Sequence, residues 1–170
     1  MKMYEYKEQL SLPLAEVVKE EKQESRKRVN IVSVKLARES SLLYEKRRIT
    51  SPEDAYQLFK QFLGDVDREH FLVLCMSTKN TPNAIHTCHI GSLNASVVHP
   101  REVLKPAILA NSCSVIVAHN HPSNDPTPSH EDIEVTRRLV EAGKIIGIEI
   151  LDHLIVCDDS FVSLKEKGHM

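Results

Sequence analysis

The apolar run Ser114-Val115-Ile116-Val117-Ala118 leads directly into His119-Asn120-His121, and three prolines, Ser129 and Asp132 follow closely. A β-branched run bounded by polar residues reads as a buried strand. Side chains on a strand alternate between its two faces. If extended geometry persists, both imidazoles project to one side with Asn120 between them. Pro122, Pro126 and Pro128 stop the strand and stiffen the return. Ser129 is a good helix N-cap, and Glu131 to Ala142 reads as a helix ending near Gly143. The chain must therefore build a strand, a stiff loop and a helix whose first turn carries Asp132 back toward the strand end. Two imidazoles and one carboxylate make three protein ligands, the number a catalytic zinc site uses when it keeps one position open.

Other uses of these residues stand beside that one. Histidines at a strand end serve equally as polar residues on the rim of a sheet. Ser129 with Asp132 fits the Ser-x-x-acid pattern of helix capping, which needs no metal. The two roles are partly compatible, because a carboxylate has two oxygens.

His-x-His, seven residues, Ser, two residues and Asp form a pattern that resembles the JAMM (MPN/JAB) metalloprotease motif. The surrounding segments resemble its bacterial RadC-type branch, historically called DNA repair proteins. They are Ser92-Leu93-Asn94-Ala95-Ser96, His99-Pro100-Arg101-Glu102, Ala118 to Ser123 and Leu151-Asp152-His153-Leu154. The resemblance covers roughly Ser51 to Gly168. Asn124 stands where the family usually shows Gly, and Asn tolerates left-handed backbone better than most residues.

The resemblance implies a zinc ion held by His119, His121 and Asp132, with a water as fourth ligand. It implies that Ser129 hydrogen-bonds the developing oxyanion or that water. It also implies a general base near the start of an early strand, and the matching residue is Glu69, just before Phe71-Leu72-Val73-Leu74. Glu102, at a helix start where the dipole favours a carboxylate anyway, and Glu45 are its rivals. The implied activity is peptidase or isopeptidase hydrolysis of an amide bond, on a protein or peptide substrate. The implied fold is α/β (α+β), a curved mixed sheet flanked by helices and related in architecture to cytidine deaminases.

A chain of 170 residues is long enough for one domain with a sizeable core. The formal net charge of −2 offers no global attraction for nucleic acid or membrane. Cys75, Cys88, Cys113 and Cys157 include no C-x-x-C pair, and Cys75, Cys113 and Cys157 read as small buried hydrophobes. With no apolar segment of membrane-spanning length and no signal-peptide core, a reduced, cytoplasmic protein is expected.

Residues 1–28 read as a charged extension, dense in Glu, Lys, Gln and Arg from Glu16 onward, and residues 29–170 as the domain. Longer RadC-type proteins carry an N-terminal helix-hairpin-helix region associated with DNA, and no matching Gly-rich hairpin is visible here. Val29 to Leu36 alternates like a strand. Ser51-Pro52-Glu53-Asp54 is a helix start, with Ala55, Leu58, Phe59 and Phe62 toward the core and Gly64 at the end. Phe71 to Met76 and Ala84 to Ile90 form an expected hairpin, whose His86 and His89 should lie on opposite faces. Pro100 to Leu109 reads as a helix with Val103, Leu104 and Ile108 on one face. Ile148 to Cys157 and Phe161 to Leu164 complete the strands, and either Asp152 or His153 could support a metal site from behind.

Three other functions compete. A zinc deaminase needs H-x-E followed by P-C-x-x-C, and neither occurs. The letters His-Asn-His do not make an HNH nuclease, whose motif is dispersed over a ββα unit. A non-catalytic or metal-binding interaction module, acting in DNA repair or on mobile-element proteins, is the alternative from a different class.

Overall fold

The computed structural model describes residues 28–91 and 98–170. The chain divides into two units, Met1–Ser33 and Val34–Met170. The expected charged extension up to Lys27, and the segment Ser92 to Val97, lie outside the described residues. The described part of the first unit, residues 28–33, contains no helix or strand.

The second unit is built on a five-stranded sheet of order β2-β1-β3-β4-β5. The strands are β1 (His70–Met76), β2 (Pro82–Ile90), β3 (Ser114–Asn120), β4 (Glu149–Val156) and β5 (Phe161–Ser163). β1 and β2 form the expected antiparallel hairpin, and β1 also pairs antiparallel with β3. β3 and β4 run parallel, and β5 returns antiparallel on β4. The parallel pair requires a crossover, which helix α3 (His130–Ile146) supplies. The mixed sheet with helices is the fold class expected from the sequence.

Alternation along β1 sorts the core. Phe71, Val73 and Cys75 pack with Val103, Leu104 and Ala107 of α2 (Pro100–Leu109) and with Val135 and Leu139 of α3. Leu72, Leu74 and Met76 pack on the other face with Ala55, Leu58 and Phe59 of α1 (Pro52–Leu63). Each large apolar side chain buried this way contributes roughly 1.5–3 kcal/mol. Every residue of β3 is buried, so the strand that leads into the two histidines is the middle of the sandwich.

Four local expectations are corrected. Val29 to Leu36 forms no strand: Val29 and Ile31 are 90% and 100% exposed, so the alternation buries no apolar face. Ile108 is half exposed, and Ala107 takes its place facing the core. His86 and His89 partner Val73 and Phe71, two residues apart on one face, because a register shift absorbs Cys88 between them. Gly143 does not end α3, which continues to Ile146 and is capped by left-handed Gly147. Gly143 serves packing instead: a Cβ there would lie 2.5 Å from the Ile148 carbonyl oxygen and 3.2 Å from Ile150 Cγ1.

Candidate metal centre

β3 ends where its side chains can still converge. His119 is its penultimate residue, and His121 continues the parallel pairing by donating its backbone N–H to Val156 O at 3.1 Å. Extended geometry therefore persists through both histidines, and their rings lie 4.8 Å apart. Pro122 and the turn that follows then reverse the chain. That turn passes through Asn124 at φ 59°, the left-handed region, which an asparagine tolerates where most side chains do not. Its side-chain oxygen also accepts from Asp158 N–H at 2.8 Å, fastening the loop to the end of β4.

Ser129 caps α3 with a reciprocal box. Its hydroxyl accepts from Asp132 N–H, while its own N–H and O–H donate to Asp132 Oδ2 at 2.8 and 2.7 Å. Oδ2 is thus held by the cap while it also lies 3.7 Å from His121 Nε2, and Oδ1 lies 3.2 Å from His119 Nε2. The capping and ligand readings of Ser-x-x-Asp are thus both met by one carboxylate. The Ser129 hydroxyl hydrogen is committed to that carboxylate in this arrangement.

Among the described residues, His119, His121 and Asp132 are the one group of three or more such side chains with ligand atoms close enough to hold a metal ion. His119 Nε2 lies 3.0 Å from His121 Nε2, and His121 Nε2 lies 3.7 Å from Asp132 Oδ2. A tetrahedral ion with bonds of about 2.0–2.1 Å places its ligands about 3.3 Å from one another. The two imidazole nitrogens at 3.0 Å, with one carboxylate oxygen at 3.2 Å from His119 and the other at 3.7 Å from His121, lie around that value, so the donor set fits a cation of zinc's size. Imidazole and carboxylate donors also suit other divalent ions. His119 is fully buried, whereas the His121 side chain is 15% exposed, so the group opens on the His121 side. A cleft of about 640 Å³ begins there, lined by Leu63, Val66, Asn120, His121, Pro122 and Asp158 among others.

Charge reinforces the geometry. Burial pushes the Asp132 carboxyl up, but the imidazoles of His119 and His121 and the Ser129 hydroxyl outweigh it and hold the group well below the usual carboxylate range. Asp132 raises the His121 imidazole above its ordinary value against the cost of burial, with help from the Asp125 carbonyl and the negative charge of Glu69. His121 Nδ1 lies 2.6 Å from that carbonyl. A carbonyl only accepts, so Nδ1 carries the hydrogen and the neutral ring presents its lone pair at Nε2.

Glu69 is half-buried immediately before β1, and it is not among the atoms gathered by the triad. Its backbone is gripped on both sides. Asn120 Oδ1 accepts from His70 N–H at 2.8 Å, and Asn120 Nδ2 donates to Arg68 O at 3.0 Å. Gly91 N–H donates to Glu69 O itself at 2.8 Å. The residue between the two histidines therefore ties the Glu69 turn to the same strand end. No sequence signal marked Asn120 for this task, because the β1–β3 pairing that makes it possible is non-local. Glu102 sits on the first turn of α2, exposed and paired with Arg101 and Lys105. Glu45 is exposed. Asp152, weighed as a support, instead accepts from Ser163 O–H, Lys165 N–H and His153 N–H, pinning the C-terminal turn. Burial pushes the Cys75 and Cys88 thiols up to about 11 and about 12, which leaves both unreactive at neutral pH. Cys113, expected to be buried, is only half-buried. Among the described residues, no helix is long and apolar enough to cross a membrane.

The family model described as RadC-like JAB domain matches residues 49–169. A UPF0758 protein of Desulforamulus reducens is 58% identical over 120 residues, 71% of this chain and 53% of that protein. UPF0758 proteins of Bacillus cereus and of Geobacillus sp. are 55% and 51% identical over 130 and 142 residues, which cover 76% and 82% of this chain. Those matches take in 58% and 63% of the two relatives, so this chain spans somewhat over half the length of the curated proteins it matches.

Proposed function

This chain belongs to the RadC-like JAB domain family, and from that premise we propose that it is a metal-dependent hydrolase cleaving an amide or isopeptide bond in a protein or peptide substrate. The observation that carries the reading is the convergence of His119 Nε2, His121 Nε2 and the Asp132 carboxylate at a cleft, with a carboxylate-bearing turn clamped to the same strand end. Zinc at this group would supply a Lewis acid and bring the pKa of its water to about 7.

The protein's own residues do the rest. His119 and Asp132 are buried, so the dielectric around them is low and their orientation is set before any substrate arrives. Glu69 acts as the proton carrier, taking a proton from water and returning it to the leaving amine. Its backbone hydrogen bonds and its electrostatic reach to His121 distinguish it from Glu102, whose charge is spent on Arg101 and Lys105. Ser129 first orients Asp132. Its role toward an oxyanion requires the hydroxyl hydrogen to swing from Oδ2. The cleft beside His121 gives an extended segment access to the exposed side of the triad.

Glu69→Gln tests the assignment. The variant should bind zinc like the parent and lose at least about a hundredfold in turnover, the lower bound for a general acid–base group. His119→Ala should lose the metal and the activity together. Full peptidase activity in Glu69→Gln would remove Glu69 from the mechanism. A zinc-loaded parent that cleaves no member of a peptide library would favour the interaction module.

A further inference from the structure

Behind the triad, β4 brings up a residue that is not a ligand. His153 is the register partner of Val117, two residues back from His119, so its side chain stands on the same face, one step deeper. The ring is fully buried, 4.9 Å from that of His119 and edge-on to Phe71 at 5.4 Å. Its Nε2 lies 2.8 Å from His119 Nδ1. Its Nδ1 lies 2.6 Å from Thr136 Oγ1, and Thr136 Oγ1 lies 2.6 Å from the backbone oxygen of Asp132.

The direction of this chain follows from its last atom. A peptide oxygen has no hydrogen, so the Thr136 O–H must point at Asp132 O. A hydroxyl has one hydrogen, so toward His153 it only accepts, and His153 Nδ1 must donate. A buried imidazole favours its neutral form, which has a single N–H. His153 Nε2 is then a lone pair, and His119 Nδ1 must donate to it. The only hydrogen of a neutral His119 ring is thereby placed on the side away from His121 and Asp132.

We infer that Thr136 and His153 are positioning residues that set the tautomer of His119, so that its Nε2 lone pair faces the cation site. The inference rests on the metal-centre reading above. His121 gets the same service from one carbonyl, that of Asp125. His119, in the middle of the sheet, gets it through two side chains that end on the first turn of α3, the turn that also carries Asp132. One helix thus supplies a ligand and the polarity of the hydrogen bonds that orient another.

The test uses the full chain with ¹⁵N-labelled histidine, metal-free and then titrated with zinc against a chromogenic chelator. In the metal-free protein, His119 Nδ1 should show a protonated, pyrrole-type resonance coupled across the hydrogen bond to an unprotonated His153 Nε2. Thr136→Val, nearly isosteric, removes the hydroxyl that fixes the direction. It should abolish the single-tautomer signature and weaken zinc about tenfold or more, the usual cost of losing such a partner. Thr136→Ser should restore both. An unprotonated His119 Nδ1 in the parent, or parental zinc affinity in folded Thr136→Val, overturns the inference. If the parent shows the coupling but binds no zinc, the tautomer assignment stands and the metal-centre reading fails.

Discussion

Ser129→Ala removes one hydroxyl and tests the double use of Asp132. Two hydrogen bonds disappear, from Asp132 N–H to Ser129 Oγ at 3.1 Å and from Ser129 O–H to Asp132 Oδ2 at 2.7 Å. The first is an N-cap, for which alanine costs about 1 kcal/mol. The second ends on a buried carboxylate, and such charge-assisted bonds contribute roughly 1.5–3 kcal/mol. The Ser129 N–H still holds Oδ2 at 2.8 Å, so the plain sum is an upper bound. The expected loss in chelator-treated protein is about 2–3 kcal/mol. At roughly 2–4 °C per kcal/mol for a chain of this size, Tm should fall by about 4–12 °C. Zinc affinity should fall about tenfold to a hundredfold, because the ligand carboxylate loses an orienting partner. Thermal unfolding in chelator gives the first quantity and a competition titration gives the second. Ser129→Thr keeps the hydroxyl and should recover most of both. An alanine variant with the parental midpoint would show that the cap does not hold Oδ2. A destabilised variant with unchanged zinc affinity would show that the cap does not orient the ligand.

Three further outcomes are expected. Gly143→Ala gains about 1 kcal/mol of helix propensity but forces a Cβ within 2.5 Å of the Ile148 carbonyl. The overpacking costs about 1–3 kcal/mol, so urea unfolding should show a net loss of up to about 2 kcal/mol, and a stabilised variant would refute the packing role. Asn124→Gly fits φ 59° but loses the Asp158 N–H bond, whereas Asn124→Ala loses the bond and adds strain of about 1 kcal/mol. Thermal midpoints should rank parent, Gly, Ala, and equal midpoints for Gly and Ala would refute the strain argument. Lys46, followed by the Thr50 N–H and hydroxyl, holds the Asp54 carboxyl well below the usual carboxylate range. A depressed folded pKa means that this contribution is complete above about pH 4, the unfolded value, and is lost as pH falls through the folded one. Urea midpoints of the parent should therefore drop more steeply below pH 4 than those of Asp54→Asn, and parallel curves would refute the linkage.

What could be read from the sequence was local. The run from Ser114 to Asp132 carries its own strand, breakers and cap, so the approach of Asp132 to the two histidines needs no knowledge of the remaining chain. The Glu69 turn lay one step further off: its place before β1 was legible, but its clamp by Asn120 depends on β1 pairing with β3. His153 was legible as one of two candidates, with Asp152, for supporting a metal site from behind, but which of the two, and through which atom, was not. Its alignment behind His119 depends on the parallel register of β3 with β4, which no local pattern encodes. Val29 to Leu36 shows the converse, a period-two pattern that forms no strand and stays exposed. Gly143 shows that a glycine's reason can lie across the core, in the Ile148 carbonyl, when the helix itself gives no sign of ending.

The Ser129 cap on Asp132 has a practical consequence for handling the molecule. In domains whose folding free energy comes from a bound ion, chelation dissolves the scaffold. Here the first turn of α3 is secured by the Ser129 N–H and hydroxyl, protein groups that need no ion, and β3 is buried on its own account. Stripping the protein should leave a folded shell that can be reloaded, so different divalent ions can be exchanged and compared in one preparation without refolding.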